Sequence, residues 1–423
     1  MRKLVLLCVI LLLGPACLWA QEKDDKVEER IHALEQRVRA LEAVVESLRA
    51  VQGGVRPVAL TVRRPPAGAD VDADAAQGTQ QTLQGQLPVY GGGSALAKVL
   101  NPDISVIGNF VGAAGRNLLR PFPSLSLQES EVSLQAIVDP YARADFFLAV
   151  GEEGIELEEG YLTFPALPGG YVAKVGRMRA AFGRVNSLHN HSLPWVDRPL
   201  VTFNLMGGSL EEADVGIKDA GLSVSRILPA PRGLFLEATA EVYRGDSGTL
   251  FRASRRNDLS FVGRLRAYGD LTESANLEMG GSFARGHNDL GSLFVTKLLG
   301  VDATFRWKPL RRAIYRSFAL RGEFIWSRRE EEAGTRRAFG FFTSAEYRLG
   351  RRWFLGGRYD WSERAREPAQ HDRGGSLVLT YWPSEFNQVR WQFRRTRYAE
   401  RETANEVLVQ FLFTIGTHGA HPF

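Results

Sequence analysis

From Asn101 to its end the chain runs in short stretches whose side chains alternate between apolar and charged or polar. A period of two is the signature of a β-strand. Near the C-terminus, Val407, Val409, Phe411, Phe413 and Ile415 share one face, and Gln410 and Thr414 the other. The stretch before it sets Val389, Trp391 and Phe393 against Arg390, Gln392 and Arg394. Leu355, Tyr359 and Trp361 oppose Arg358 and Asp360 in the same way. Phe318, Leu320, Phe324 and Trp326 oppose Arg321 and Glu323, and Val301, Ala303, Phe305 and Trp307 oppose Asp302, Thr304 and Arg306. A soluble sandwich also alternates. Its polar face, however, looks at water and needs no paired charges of both signs. A sheet that closes on itself in a membrane needs hydrocarbon-compatible residues outside and polar residues around a wet lumen.

Marking such stretches predicts an all-β fold, a transmembrane antiparallel barrel of about sixteen strands over 101–423. The strands start near Ile104, Leu127, Tyr141, Ile155, Tyr171, Asp219, Leu234, Leu259, Asn276, Leu298, Ser317, Ala338, Trp353, Gly375, Gln388 and Asn405. Outer-membrane barrels have short periplasmic turns and longer outer loops. With the first strand starting in the periplasm, the even-numbered links are short and turn-rich, as at Asp139-Pro140. The odd-numbered links are longer and charged, as at 328–337 and 362–374, with 151–154 the exception. The third outer link, 180–218, is the longest, and a strandless loop of that size is usually functional. Folded inward it would narrow the lumen. Its Trp195, Asp197, Arg198, Glu211, Glu212 and Asp214 suit a constriction.

The start of the chain reads as export machinery. Arg2 and Lys3 precede an apolar run from Leu4 to Leu13, and Ala20 offers a cleavage point, so 1–20 is read as a signal peptide. A lipoprotein reading through Cys17 is the alternative, but the residues before it, Gly14-Pro15-Ala16, lack the expected Leu. Cys8 and Cys17 are the two cysteines, and both fall within this leader. The mature chain then has neither disulfide nor thiolate metal site. Over 24–51, Val27, Ile31, Leu34, Val38, Leu41, Val45 and Leu48 keep coiled-coil spacing. β-branched residues at a and Leu at d favour a dimer. Segment 52–100, rich in Gly, Pro, Gln, Ala and Asp, reads as a flexible linker. No stretch has the length of a transmembrane helix.

Lys174-Val175-Gly176-Arg177-Met178-Arg179-Ala180-Ala181-Phe182-Gly183 resembles the "GKF…PFG" strand end of the phosphate-selective porin superfamily. Glu158-Glu159-Gly160-Tyr161-Leu162 resembles the strand leading into that hairpin. Asn101-Pro102-Asp103-Ile104-Ser105-Val106-Ile107-Gly108 is similar to the opening of a related outer-membrane group, and Phe423 to the terminal aromatic of the insertion signal. Ala181 stands where the family often has Pro, and no lysine ladder suited to phosphate is present. The resemblance implies a trimeric porin of the bacterial outer membrane; the link lengths put both termini, and with them the N-terminal helix, in the periplasm.

A pore needs no catalytic group or cofactor; lumen width and rings of charge set its selectivity. The expected lining is Arg264, Arg266, Asp302, Arg306, Arg321, Glu323, Glu346, Arg348, Arg358, Asp360, Arg390 and Arg394, with Glu237, Glu241 and Glu278. Most of these should pair across strands and brace the wall. The rest would set a field with a slight lean toward anions. The expected partners are outer-membrane lipid, small hydrophilic solutes or anions, and further copies of the chain. Scattered basic residues at a net charge of +5 do not make a nucleic-acid surface. His189 and His191 near Asp197 could hold zinc, but such a pair is more simply read as polar loop packing, so no metal site is expected. A TonB-type receptor would need a plug domain and more strands. A hydrolase would need more than Ser187 and Ser192 beside two histidines. A periplasm-facing tether or adhesin built on a plugged barrel, and a substrate-specific receptor with a metal-related role, are the alternatives to a passive pore.

Overall fold

The computed structural model describes residues 102–151, 154–208 and 215–416. The leader, the predicted coiled coil and the linker lie outside the described residues, as do Glu211, Glu212, Asp214, His418, His421 and Phe423.

Sixteen strands form among the described residues: β1 (Asp103–Arg116), β2 (Leu125–Asp139), β3 (Ala142–Gly151), β4 (Gly154–Leu167), β5 (Tyr171–Arg179), β6 (Lys218–Leu228), β7 (Leu234–Tyr243), β8 (Ser260–Thr272), β9 (Ala275–Asn288), β10 (Gly291–Trp307), β11 (Phe318–Glu331), β12 (Gly334–Arg348), β13 (Trp353–Glu363), β14 (His371–Ser384), β15 (Asn387–Arg397) and β16 (Thr403–Gly416). Each pairs antiparallel with its sequence neighbours, and β1 pairs with β16 from Ser105↔Gly416 to Arg116↔Asn405. Closure leaves no sheet edge with unpaired backbone groups, the condition for spanning hydrocarbon with strands.

All sixteen alternating stretches become strands, but several run longer than expected. The link expected over 328–337 is a turn at 332–333, with Gly334 at φ +124. Arg328 and Arg329 lie in β11, in register with Arg337 and Arg336 of β12. Glu331 accepts hydrogen bonds from Arg329 and Arg336, so charge there extends a hairpin instead of opening a loop. β10 likewise begins at Gly291 (φ +113), well before Leu298.

The alternation sorts the faces as predicted. Leu320, Phe324, Trp326, Leu355, Tyr359, Phe393 and Phe411 are exposed on the outside. Glu323, Arg358, Asp360, Arg390, Gln392 and Arg394 are buried inside. So broad an apolar outer surface is unlike that of a soluble monomer. Outward aromatics cluster at two levels. Trp353 stacks on Tyr381 at 4.4 Å and on Trp391 at 6.3 Å near one end of the strands. Trp326, Phe339 and Trp361 gather toward the other end. From Trp353 to Trp361 along β13 is ~26 Å of strand, or ~20 Å along the barrel axis after tilt. That matches the height of the apolar band of membrane barrels and the aromatic girdles that flank it.

Of the register shifts among the described residues, two bear on the loop's surroundings. One lies in the β1–β2 pair, where Phe110 is opposed to Leu127 and Asn109 to Glu129. The other, in β3–β4, opposes Leu148 to Leu157 and Phe147 to Glu159. A bulge re-aims side chains, and here Glu158 and Glu159, adjacent in sequence, are both buried.

Candidate solute pathway and its constriction loop

The described parts of the β5–β6 connection, 180–208 and 215–217, fold into the barrel. The feet of the connection are tied by the Ala180 N–H donating to the Ile217 carbonyl at 2.9 Å. Asn186 staples the same place: its Nδ2 donates to the Ala180 and Ile217 carbonyls, and its Oδ1 accepts from the Ile217 N–H at 2.7 Å. The entering strand turns at Gly183, φ +58, where an added Cβ would lie 2.0 Å from Glu323 Oε1. Glycine is needed there for the backbone angle and for the close approach. The next amides bind the wall: Gly183 N–H donates to Ser282 Oγ, and Arg184 and Val185 N–H to Glu323 Oε2. Burial draws the Arg184 guanidinium below the usual range, while Glu278 at 3.1 Å opposes that.

The middle of the loop makes a dry contact with one side of the wall. A short helix, α1 (Leu200–Leu205), carries Val201 and Leu205, and Phe182, Leu193, Trp195 and Met206 join them. They pack with Leu298, Ile325, Phe342 and Val378 on the inward face of the strands. Burial of each large apolar side chain stabilises the docked loop by ~1.5–3 kcal/mol. Trp195 meets Phe342 edge-on at 5.1 Å and lies under the Arg358 guanidinium at 4.8 Å.

Asp197 fixes the orientation of this contact. It is buried and takes Arg358 Nη2 at 3.0 Å, Arg394 Nη1 at 2.8 Å and Gln392 Nε2 at 2.5 Å. Burial alone would raise its pKa, but the two guanidiniums bring it down to about 2. Arg390 donates to the Trp195 carbonyl at 3.2 Å, and the Leu200 N–H to Asp360 Oδ1 at 3.2 Å. Arg198 turns back into the loop, giving hydrogen bonds to Asn190 Oδ1 and to the Val185 and Leu188 carbonyls. The three expected constriction residues that are described are thus buried, Trp195 and Asp197 between loop and wall and Arg198 within the loop; apolar packing and charge pairing outcompete exposure to the lumen.

Most of the expected lining residues occupy the inward face in pairs, while Glu241, Glu323 and Arg390 bond the loop backbone. Arg264 meets Asp302 at 2.8 Å, Arg266 meets Glu237 at 2.8 Å, Arg306 meets Glu278 at 3.0 Å and Arg321 meets Glu346 at 3.4 Å. Arg358 also holds Asp360, and Arg394 holds Glu406. Arg348 sits at the end of β12 and donates to the carbonyls of Gly350, Arg351 and Ala313, bracing turns and not the loop.

On the opposite side the loop meets β2 and β4 through His189. Its Nδ1 lies 2.6 Å from Glu131 Oε2 and 2.7 Å from Glu158 Oε2, and its Nε2 is 2.8 Å from Glu159 Oε2. Burial lowers the imidazole pKa, but the carboxylates together carry it well above the usual value. His191 Nδ1 stands 3.4 Å from Glu129 Oε1 and 3.6 Å from Glu131 Oε2. The acids met by the histidines are these and not Asp197. Strict alternation would send one of Glu158 and Glu159 outward, so the bulge hid this cluster from the sequence.

Two cavities flank the loop. One, of about 310 Å³, lies toward the end bearing the first and last strand termini. Lys174, Arg184, Ser187, Glu237, Thr239 and Arg266 are among its lining residues. The other, of about 550 Å³, opens among the loops of the far end, with Arg120, Phe203, Arg329, Arg364, Arg366 and Tyr398 on its walls. They have no lining residue in common, and loop residues 181–187 face the first while 203–208 face the second.

No protein-family model matches the sequence. An uncharacterized protein of Aquifex aeolicus is 30% identical over 342 residues, which span 70% of this chain and 70% of that protein. Two solved structures share the barrel. A loop L8 deletion mutant of OmpT, an outer membrane protein of Vibrio cholerae, superposes with a TM-score of 0.50 at 10% identity, covering 74% of this chain and 99% of that one. The high-pH structure of Pseudomonas putida OprB superposes with a TM-score of 0.50 at 9% identity, covering 76% of this chain and 95% of that one. At such identities the likeness is one of fold.

Proposed function

Since the chain belongs to one family with the uncharacterized Aquifex aeolicus protein, we propose that this family comprises outer-membrane porins, passing small hydrophilic solutes or ions passively. The observation that carries this reading is loop segment 180–208 docked inside a closed sixteen-stranded barrel, with water-sized space on either side of it. A wet lumen narrowed by an inward loop selects by size and charge without chemistry. In the proposed orientation, both ends of the barrel domain face the periplasm and loop 180–217 enters from the outer side. The leader 1–20, the periplasmic coiled coil 24–51 and the linker 52–100 belong to the same proposal, as does assembly into a homo-oligomer.

A weak anion preference is part of the reading. Around the outer cavity stand Arg120, Arg329, Arg364 and Arg366 with Glu367 and Glu400; Arg329, Arg364 and Arg366 are paired to Asp289, Glu331, Asp372 and Glu400, and Arg120 donates to Asn204. Kinship with the phosphate-selective porins rests on the 158–162 and 174–183 stretches, and phosphate itself is not proposed as the solute. One observation favours a second reading: the apolar core inside the lumen would equally suit a plugged barrel serving as a tether. Planar-bilayer recording of the refolded protein decides. Discrete conductance steps with a reversal potential favouring chloride over potassium are expected. A silent barrel would overturn the pore, and cation preference would overturn the anion lean.

A further inference from the structure

The buried cluster on β2, β4 and the loop has a composition that packing does not account for. Four carboxylates, Glu129, Glu131, Glu158 and Glu159, face two histidines and the guanidinium of Arg179, which lies 3.9 Å from Glu158. Four buried carboxylates thus converge on a single permanent cation, Arg179. A buried excess of this kind calls for a counter-cation. We propose that Glu131, Glu158 and His189 bind a divalent metal ion of the zinc type, with His191 beside them as a further ligand.

The geometry supports this in three ways. His189 Nδ1 and one oxygen each of Glu131 and Glu158 lie within 4.8 Å of one another, and all three residues are buried. Metal–ligand distances near 2.0–2.2 Å would ask these atoms to part slightly from their present 2.6–2.7 Å contacts. Glu159 accepts from the far ring nitrogen of His189 at 2.8 Å, the outer carboxylate that fixes a ligating imidazole with its other nitrogen toward the metal. Independently, Glu129 is 6% exposed and its Oε1 receives no hydrogen bond, although it points at His191 Nδ1. A nitrogen and carboxylate set without thiolate suits zinc or manganese better than copper(I), and the imidazole disfavours calcium. The ion would clip the loop to β2 and β4, opposite the Asp197 anchor.

The test uses the full mature chain without an affinity tag, folded in detergent, stripped with chelator and titrated with Zn²⁺ by calorimetry. His418→Ala and His421→Ala are introduced throughout, so that the terminal histidines contribute nothing. One saturable equivalent is expected, weakened by more than ~100-fold in Glu158→Gln and His189→Gln and by roughly 10–100-fold in Glu159→Gln. His287→Ala should leave it unchanged, and Ca²⁺ should not compete. The absence of a saturable equivalent, or unchanged binding in both Glu158→Gln and His189→Gln, overturns the site. Should those variants fail to fold, zinc-edge absorption of the parent protein decides. A mixed shell with imidazole nitrogen supports the site, and an all-oxygen shell refutes it. Binding is read without conductance, so a barrel that binds zinc but passes no current sinks the pore and leaves the metal site standing.

Discussion

Replacing Asp197 by Asn is the substitution whose effect the structure fixes most closely. The amide keeps the shape but removes the charge that Arg358 and Arg394 share. Breaking a buried ion pair by removing one partner costs 3–5 kcal/mol. The lower end applies here, because Arg358 retains Asp360 and Arg394 retains Glu406. Proton linkage supplies a second figure. The gap between an ordinary carboxyl at 3.8 and Asp197 at about 2 corresponds to ~2.5 kcal/mol. A loss of ~3 kcal/mol raises the population of undocked loop by roughly a hundredfold. The barrel hydrogen bonds do not involve Asp197, so the sheet should survive. Chymotrypsin reports the change, because Trp195 is buried in the docked loop and its peptide bond is cleavable only after release. Cleavage should track the open population. A folded Asp197→Asn barrel cut after Trp195 at a rate within twofold of wild type would refute the idea that this carboxylate holds the loop.

The same anchor sets a pH dependence. Since the folded pKa of Asp197 is depressed, its contribution is fully present above about pH 4 and fades as pH falls toward 2. The difference in loop protection between wild type and Asp197→Asn, read with an acid-active protease, should therefore shrink several-fold from pH 5 to pH 2; an undiminished difference at pH 2 contradicts this. Gly183→Ala would strain a positive φ and push the Glu323 carboxylate off two backbone amides. A loss of ~3 kcal/mol in loop docking is expected, seen as faster chymotrypsin cleavage with an intact barrel. Phe324→Arg tests the outer face: an arginine near the middle of β11 should cost ~2–4 kcal/mol in folding into lipid vesicles. An effect below 0.5 kcal/mol would show that this face does not meet hydrocarbon.

The strands were legible because one physical rule, grease out and charge in, writes a period of two along each of them. Trp326 and Glu323 declare their sides with no knowledge of any partner. The loop's inward fold was legible from its length alone. What its residues do was not, since Asp197 acquires its meaning from Arg358 and Arg394, more than 150 positions away. Arg328–Arg337 misled for a different reason. A charged stretch can leave the membrane as an extended hairpin as readily as it can form a loop, and only the paired register and Gly334 distinguish them. The Glu158–Glu159 pair was invisible because a bulge suspends the alternation on which the whole reading stands.

The two sides of the loop are held by different physics, and the path of a solute follows from that. Toward β11–β14 the contact is dry, with Trp195 and Val201 against Phe342 and Val378, and water has no reason to enter it. Toward β2 and β4 the contact is a buried charge cluster. A hydrated solute gains nothing on the first side and would have to displace bound carboxylates on the second. The inner cavity, by contrast, lies against β5–β9, where the wall offers Ser223, Ser225, Thr239 and the partly exposed Arg266. On the pore reading, a solute in the inner cavity therefore meets this wall and Arg184. Arg184→Glu inverts a charge on the wall of that cavity and should shift the reversal potential toward cations. The same change at Arg348, which braces turn carbonyls and lies over the Phe354 ring at the end of β12, would leave selectivity where it was.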